Sequence, residues 1–497
     1  MERVVLAGVG QFTSRSKKLE DALEPLALIE RAFEAMDTEL GGRAPRELDV
    51  LAVVNMIAWD YGDAPELLKS RLALSAKKAL YTTISGHTPQ WLVGDIACRI
   101  QKGEASSALI VGAEAMHSVS LFNKARTPIP WTKTRQTIPH FGDSRQPLKD
   151  EEVNHQAFLP IQIYPLFENA LRAKRGWSLE DHRAFLGRLC ARFAAIAKEH
   201  PYAWFQDGKS ADEIRTVTKV NRMVGFPYTK YMNAIMNVDM AACLLVLSET
   251  KAKELGILEE HWVYLHGCSE VSDRWFVTDR EDYAFSPAIG LGAQEALKIA
   301  HTEPQALSHL DFYSCFPCAP QVAAESLGIP LEGQRPLTVT GGLSYFGGPG
   351  NNYVTHALAT MTELLRKDVD AFGMVSGMGW FFTRHSFGVY SKKRPGDWPV
   401  VASKDALQRQ IDAMAKPLFI PRPEGEAAIE TYTVIHAPTG EPDYAIVIGR
   451  DKNGSRFIAN DAQDMEFLNF LEDNEGVGLK GTVRFDERLG RNVFRPS

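Results

Sequence analysis

Apolar positions change period twice in the first fifty-four residues. Residues 3 to 9 are apolar apart from Arg3, Leu19 to Glu39 repeats apolar residues at helical spacing, and Leu48 to Val54 is apolar apart from Asp49. This predicts strand, amphipathic helix, strand. Further on, Ser85-Gly-His-Thr-Pro-Gln leads into a helical pattern from Trp91 to Gln101, then the run Ser107-Ala-Leu-Ile-Val111 and Gly112. The same order returns after Gly341-Gly-Leu-Ser-Tyr-Phe-Gly-Gly-Pro-Gly350. A helix starting near Asn351 passes through Val354, Leu358, Met361 and Leu365, an acidic break follows at Asp368 to Asp370, and then come Phe372-Gly-Met-Val375 and Gly377. Gly86 lies 26 positions before Gly112 and Gly350 lies 27 before Gly377. One strand, turn, helix, strand unit is therefore used twice. Two such halves place two helix N-termini at a shared cleft.

From about Ser118 to Phe226 the composition shifts to proline, tryptophan and charge, with helical patterns at Asn154 to Lys174 and Leu179 to His200 and little strand signal. This stretch reads as an inserted, mostly helical domain. Asp239-Met-Ala-Ala-Cys-Leu-Leu-Val-Leu247 is apolar enough for a strand buried on both faces. A second half starts near Trp262-Val-Tyr-Leu-His-Gly267 and runs to Tyr390, and Pro395, Pro399, Pro417, Pro421 and Pro423 mark a linker holding one helix. The tail alternates with period two at Ala427 to Ile435, Asp443 to Ile448, Ser455 to Ala459 and Gly478 to Phe485. It predicts a small antiparallel barrel with Asp464 to Glu472 as its one helix.

Composition narrows the class. The 497 residues are 45% hydrophobic and 24% charged, which is ordinary for globular domains. With a net charge of −7 and a pI near 6.0, nothing draws the chain to nucleic acid or an anionic membrane, and the barrel stretch from Asp461 to Glu475 is itself acidic. The start has no basic region leading into an apolar one, and no apolar run is long enough to span a bilayer, so a cytoplasmic protein is expected. The six cysteines are scattered, as suits a reducing compartment. Cys315 and Cys318 form the lone CxxC, and without a second pair they read as small residues lining a core or cleft; no metal is expected. The Gly341 to Gly350 loop has two readings: a tight turn that lets a strand and a helix pack closely, or exposed backbone N–H groups that hold an anion or oxyanion.

Gly112-Ala-Glu-Ala-Met116 and Asp239-Met-Ala-Ala-Cys243 resemble the GGxESM and DGAAA stretches of the thiolase superfamily, and Asp311-Phe-Tyr-Ser-Cys-Phe316 is similar to the HDCF stretch of sterol-carrier-type thiolases. The resemblance covers about residues 1 to 392, and with the barrel appended the chain most resembles bacterial thiolase-like proteins of type 1. It implies an α/β duplicated thiolase fold in five αβαβα layers, with a helical loop domain and an extra OB-like barrel. The boundaries expected are 1–120 with 233–261 for the N-terminal half, 121–232 for the loop domain, 262–392 for the C-terminal half, 393–423 for the linker and 424–497 for the barrel.

The same resemblance locates a site. The nucleophilic cysteine of CxSG falls at Thr83 in Thr83-Ile-Ser-Gly86, and the histidine of GHP at Gly348 in Gly347-Gly-Pro349. The second cysteine falls at Ser376 or Val375 ahead of Gly377, and the oxyanion-hole residue at Tyr313. With every catalytic side chain replaced, the resemblance implies loss of thiolytic activity and retention of coenzyme A or acyl-CoA binding. Gly347, Gly348, Gly350, Gly377 and Asn233-Ala-Ile235, the counterpart of the family's NAS stretch, would surround that ligand, and Arg222 is a candidate phosphate contact or a solvated surface charge. A second reading is retro-aldol cleavage of an acyl-CoA by Tyr313 with Tyr345, the barrel standing in for the separate OB-fold partner of such enzymes. A third is a non-catalytic scaffold. His87 supplies a proton, binds an anion or caps its helix. Cys315 is a substitute nucleophile or packing, and His356 lies near the cleft. Trp380, Phe381 and Phe382 narrow an acyl pocket or fill the core. The type-1 resemblance implies a monomer where other thiolases dimerise.

Overall fold

The computed structural model describes residues 1–133 and 136–497. The first half supplies β1 (Val4–Thr13), β2 (Glu47–Val53), β3 (Ser75–Tyr81), β4 (Ser107–Ala115) and β5 (Asp239–Ser248). The second supplies β6 (Val263–Ser272), β7 (Leu307–Asp311), β8 (Phe372–Gly379) and β9 (Arg384–Ser391). They hydrogen-bond in the order β3-β2-β4-β5-β1-β6-β9-β8-β7. The duplication is visible in the pairing: β2-β4-β5-β1 and β7-β8-β9-β6 both run parallel, antiparallel, antiparallel. The halves are stitched where Val5 faces Tyr264 and Leu6 faces Val263.

Helices α1 (Pro25–Glu39) and α2 (Thr88–Gln101) come from the first half, α3 (Pro160–Arg175) and α4 (Leu179–Glu199) from the insertion, and α5 (Pro287–Ile299) and α6 (Tyr353–Lys367) from the second half. α2 and α6 touch each other and strands of both halves, while α1 packs on β1, β4 and β5 and α5 on β6 and β9. The result is a thiolase-like stack of five layers, αβαβα, with α2 and α6 in the middle. The sequence shows why: Tyr353 to Thr362 is buried on every side of α6, as a helix packed between the strands of both halves requires, and all ten residues of β5 are buried.

Three helix boundaries differ from the periodicity. Leu19–Asp21 is a separate 3-10 turn, because Pro25 fits the first helical turn and starts α1 afresh. The pattern at Asn154 to Lys174 divides into Asp150–Asn154 and α3, again with a proline, Pro160, at the start. Gly350–Asn352 forms a 3-10 turn before α6 begins at Tyr353.

The C-terminal barrel contains β10 (Gly425–His436), β11 (Pro442–Asp451), β12 (Arg456–Asn460), β13 (Lys480–Asp486) and β14 (Arg491–Pro496), with α7 (Met465–Asp473) between the third and fourth strands. The order β11-β12-β14-β13-β10 closes through β10 to β11. β14 gives no alternating signal, since its apolar residues Val493 and Phe494 are adjacent. Two short strands of the mostly helical insertion, Met223–Gly225 and Tyr228–Thr229, extend this sheet through Gly225 opposite Ile435. The barrel is fixed to the rest of the chain. Arg172 on α3 forks onto Glu475 with two bonds of 2.6 Å, and Asn169 donates to the carbonyls of Phe226 and Tyr432. Buried Arg456 holds Glu430 and the carbonyls of Thr278, Arg280 and Glu281.

Candidate functional site

β3 delivers the chain to Thr83 at a turn ahead of α2. The Thr83 amide donates to the Phe141 carbonyl at 3.0 Å, and its hydroxyl lies 2.7 Å from where a β-carbon on Gly142 would stand; Gly142 has φ +124°. Thr83 is buried, and among the described residues no side chain hydrogen-bonds to its hydroxyl. Two residues on, Ser85 Oγ and His87 Nδ1 share a hydrogen bond of 2.7 Å. His87 makes no side-chain cap; its ring is fully buried with Nε2 unpartnered. Burial, helped by the Arg384 charge, lowers its pKa well below the usual value, so the ring is neutral at pH 7.

β7 and β8 cover this turn. Tyr313, just past β7, donates its amide to Ser376 Oγ at 2.9 Å. Its hydroxyl lies against Gly86, where a β-carbon would be 2.4 Å from it and 2.5 Å from the Met378 carbonyl. Glycines let β8 approach: Gly377 lies against the His87 backbone and Gly379 against Ser85 Oγ. Thr83, His87, Tyr313, Ser376 and Gly377 are thus brought together, with the Ser376 hydroxyl turned to the Tyr313 backbone. Burial raises the Tyr313 phenol far above its normal pKa. Tyr345 lies elsewhere, its hydroxyl buried without a hydrogen-bond partner beside Cys190 of α4.

Five amides of the glycine loop are already taken by protein acceptors. Gly341 and Gly342 donate to the hydroxyls of Thr338 and Thr340, Phe346 to the Gly342 carbonyl, Gly348 to the Ile235 carbonyl at 2.9 Å, and Gly350 to the Gly348 carbonyl at 2.7 Å. The anion-cradle reading of these five donors is corrected, because the turns that glycine permits fold the loop onto its own carbonyls and onto the segment at Ile235. Positive φ at Gly341, Gly342, Gly347 and Gly350 makes those turns possible. The structure does bring Ile235 against Gly348 of the loop, while Gly350 stands against Glu114. Asn233 Nδ2 donates to the Thr229 carbonyl at 2.6 Å, the Ile235 amide to the Leu343 carbonyl, and Gly347 packs on Met240.

The remaining candidates pack. Burial pushes the Cys315 thiol up to about 12, which removes the thiolate a nucleophile needs. His356 bonds Gln11 Oε1 at 2.8 Å inside the core, and Arg222 donates to the Met223 carbonyl. Phe381 and Phe382 are buried, Phe382 against Tyr164 and Phe167. Two buried carboxyls carry no assignment from the sequence. Glu114 accepts the amides of Ile57 and Ala58, stands against Gly350, and is raised by burial to about 7. Asp311 is raised to about 6, again by burial, and accepts from Thr338, Tyr353 and the Val339 amide. Their signal was a lone acid near the end of a strand.

Comparison with known proteins agrees with this geometry. Residues 406–488 match the additional C-terminal domain of thiolase-like protein type 1. Over 100% of its length the chain is similar to the crystal structure of a monomeric SCP2-thiolase like protein type 1 (STLP1) from Mycobacterium smegmatis, at 29% identity and TM-score 0.85, covering 99% of that chain. The Ltp2-ChsH2(DUF35) aldolase is similar over 79% of this chain and 98% of its own, at 15% identity and TM-score 0.60. Human mitochondrial 3-ketoacyl-CoA thiolase in complex with CoA matches 79% of this chain and 98% of its own, at 14% identity and TM-score 0.56. These last two share the fold.

Proposed function

Because the chain belongs to the thiolase superfamily, as a thiolase-like protein of type 1 with the additional C-terminal domain, we propose that it binds coenzyme A or an acyl-CoA and performs no thiolytic chemistry. The observation that carries this reading is the surroundings of Thr83. Its hydroxyl meets no imidazole or carboxylate among the described residues, the nearby His87 Nδ1 is bonded to Ser85, and Gly348 has no side chain to serve as base. An alcohol without a base is a poor nucleophile. Support for the ligand comes from the backbone bonds that Ile235 makes with Leu343 and Gly348 of the glycine loop and from the coenzyme A complex of a thiolase of the same fold. Calorimetric titration with coenzyme A and acetyl-CoA, beside an assay of acetoacetyl-CoA cleavage by coenzyme A, tests it. Saturable binding without cleavage is expected; cleavage removes the chemical half of the reading, and absence of binding removes the ligand half.

The place of Tyr313 favours a second reading. Its hydroxyl lies at the turn before α2, and as a protonated phenol it is a hydrogen-bond donor, able to polarise a carbonyl or protonate a developing oxyanion but not to act as base. An aldolase shares the fold. Ketone or aldehyde release from a 3-hydroxyacyl-CoA, abolished in Tyr313→Phe, would establish this reading over simple binding.

We also infer a monomer. β3 is an outer strand of the main sheet, and Phe141 folds over its end, donating to the Tyr81 carbonyl at 2.7 Å. Lys77 and Lys78 on that edge discourage pairing with a second sheet. Among the described residues no helix is long and apolar enough to cross a membrane.

A further inference from the structure

A cavity of about 390 Å³ lies between the end of β6, the start of β9 and the linker helix Lys404–Ala413. It is separate from the turn at Thr83, though close to it. Asp143, in its wall, follows the Gly142 that packs on Thr83, and the Arg384 guanidinium stands 6.0 Å from the ring centre of Trp91 on α2.

Arg384 is the informative residue. It is 4% exposed, lines the cavity, and among the described residues its guanidinium makes one hydrogen bond, from Nη1 to the Asp143 carbonyl at 3.3 Å. Its nearest carboxylate, on Glu270, is 3.8 Å away. A guanidinium has five N–H donors and is costly to bury with most of them unused. The neighbouring acids are engaged elsewhere. Arg145 forks onto Asp143, Ser286 and Arg280 hold Asp273, Lys149 holds Asp279, and Lys404 holds Glu270 at 2.7 Å. The Asp412 carboxylate accepts from Gln408. Arg274 adds a second underused cation, with a buried Nε that has no partner. One wall is flat and aromatic, formed by Trp275 with the Arg145 guanidinium 3.9 Å above its ring. Lys404 and Lys416 stand at the rim, half-exposed or more.

We propose that this cavity binds a small organic oxyanion, a carboxylate or a phosphate group, with Arg384 as the principal donor and the two lysines at its mouth. Charge-assisted bonds from a planar fork are the chemistry that recognises either group. The volume suits a small ligand rather than a lone ion. The site is independent of coenzyme A binding at the glycine loop, so either can fail without the other.

The test is calorimetric titration of the full chain at low ionic strength with two probes, glutarate and inorganic phosphate, in a zwitterionic buffer. Saturable binding of at least one is expected, weakened about tenfold or more in Arg384→Gln, as the loss of a charge-assisted pair implies. The preferred probe identifies the headgroup. Should Arg384→Gln not fold, Lys404→Ala with Lys416→Ala, both at exposed positions, is expected to lower the affinity severalfold with an unchanged circular dichroism spectrum. No saturable binding of either probe up to about 10 mM, or unchanged affinity in a folded variant, overturns the assignment.

Discussion

The Tyr313 hydroxyl occupies the space in which a β-carbon on Gly86 would lie, 2.4 Å from that position. The two residues come from different halves of the duplicated fold, so this contact ties the turn before α2 to the end of β7. Gly86→Ala is expected to destabilise the protein by about 1–3 kcal/mol, the usual cost of overpacking. Adding Tyr313→Phe recovers part of it, not all, because the Met378 carbonyl is only 2.5 Å from the same point. Urea denaturation of both single variants and the double gives the coupling, and zero coupling would contradict the contact.

The bond between α3 and the barrel is asymmetric. Arg172 is 2% exposed and Glu475 49%, so removing the glutamate strands a buried cation while removing the arginine leaves a carboxylate that water can reach. Glu475→Ala is expected to cost about 3 kcal/mol and Arg172→Met clearly less. Thermal melts of the two variants check the order, and equal losses would argue against it.

Acid sensitivity follows from histidines held neutral in the core. Burial lowers His356 to about 3 and His200, His266 and His385 to about 4. Unfolded, each binds a proton near pH 6.5, so their contribution is full above that pH and is lost as the pH falls through 6.5 towards 4. Glu114 and Asp311 act in the opposite sense, since their folded values are raised; their contribution is present at low pH and lost as the pH rises through about 6 to 7. Burial lowers His87 and His155 in the same sense as these four imidazoles, and stability is expected to drop between pH 6.5 and 4.5. His356→Gln, replacing a ring bonded to Gln11, should flatten that decline in a pH series of melting temperatures.

Replacing Thr83 by cysteine tests whether the nucleophile alone is missing. Thr83→Cys is expected to give no measurable acetoacetyl-CoA cleavage, because no base stands within hydrogen-bond reach to form the thiolate. Appreciable thiolysis would mean that His87 leaves Ser85 to serve it.

Sedimentation is expected to show a single species near 55 kDa at micromolar concentration. A stable dimer would overturn the inference of a monomer.

The repeat was readable because its two copies share hydrophobic period and spacing, and that same spacing reappears as matching strand order around β5 and β9. The barrel was readable from period-two alternation, except β14, whose six residues bury only Asn492, Val493 and Phe494. The positions of Thr83, Gly348 and Tyr313 were legible as departures from a motif, since residue identity is a one-dimensional property. What the linear chain did not contain was the partnership of backbone groups. Gly341 to Gly350 offers amides to any reader of the sequence, yet whether they face a ligand or Ile235 depends on a segment more than a hundred positions away. The burial of Tyr345 beside Cys190, the sparse bonding of the Arg384 guanidinium and the raised carboxyls of Glu114 and Asp311 are of the same kind. Each is set by which distant chain excludes water there, and desolvation is a property of the packed volume rather than of residue order.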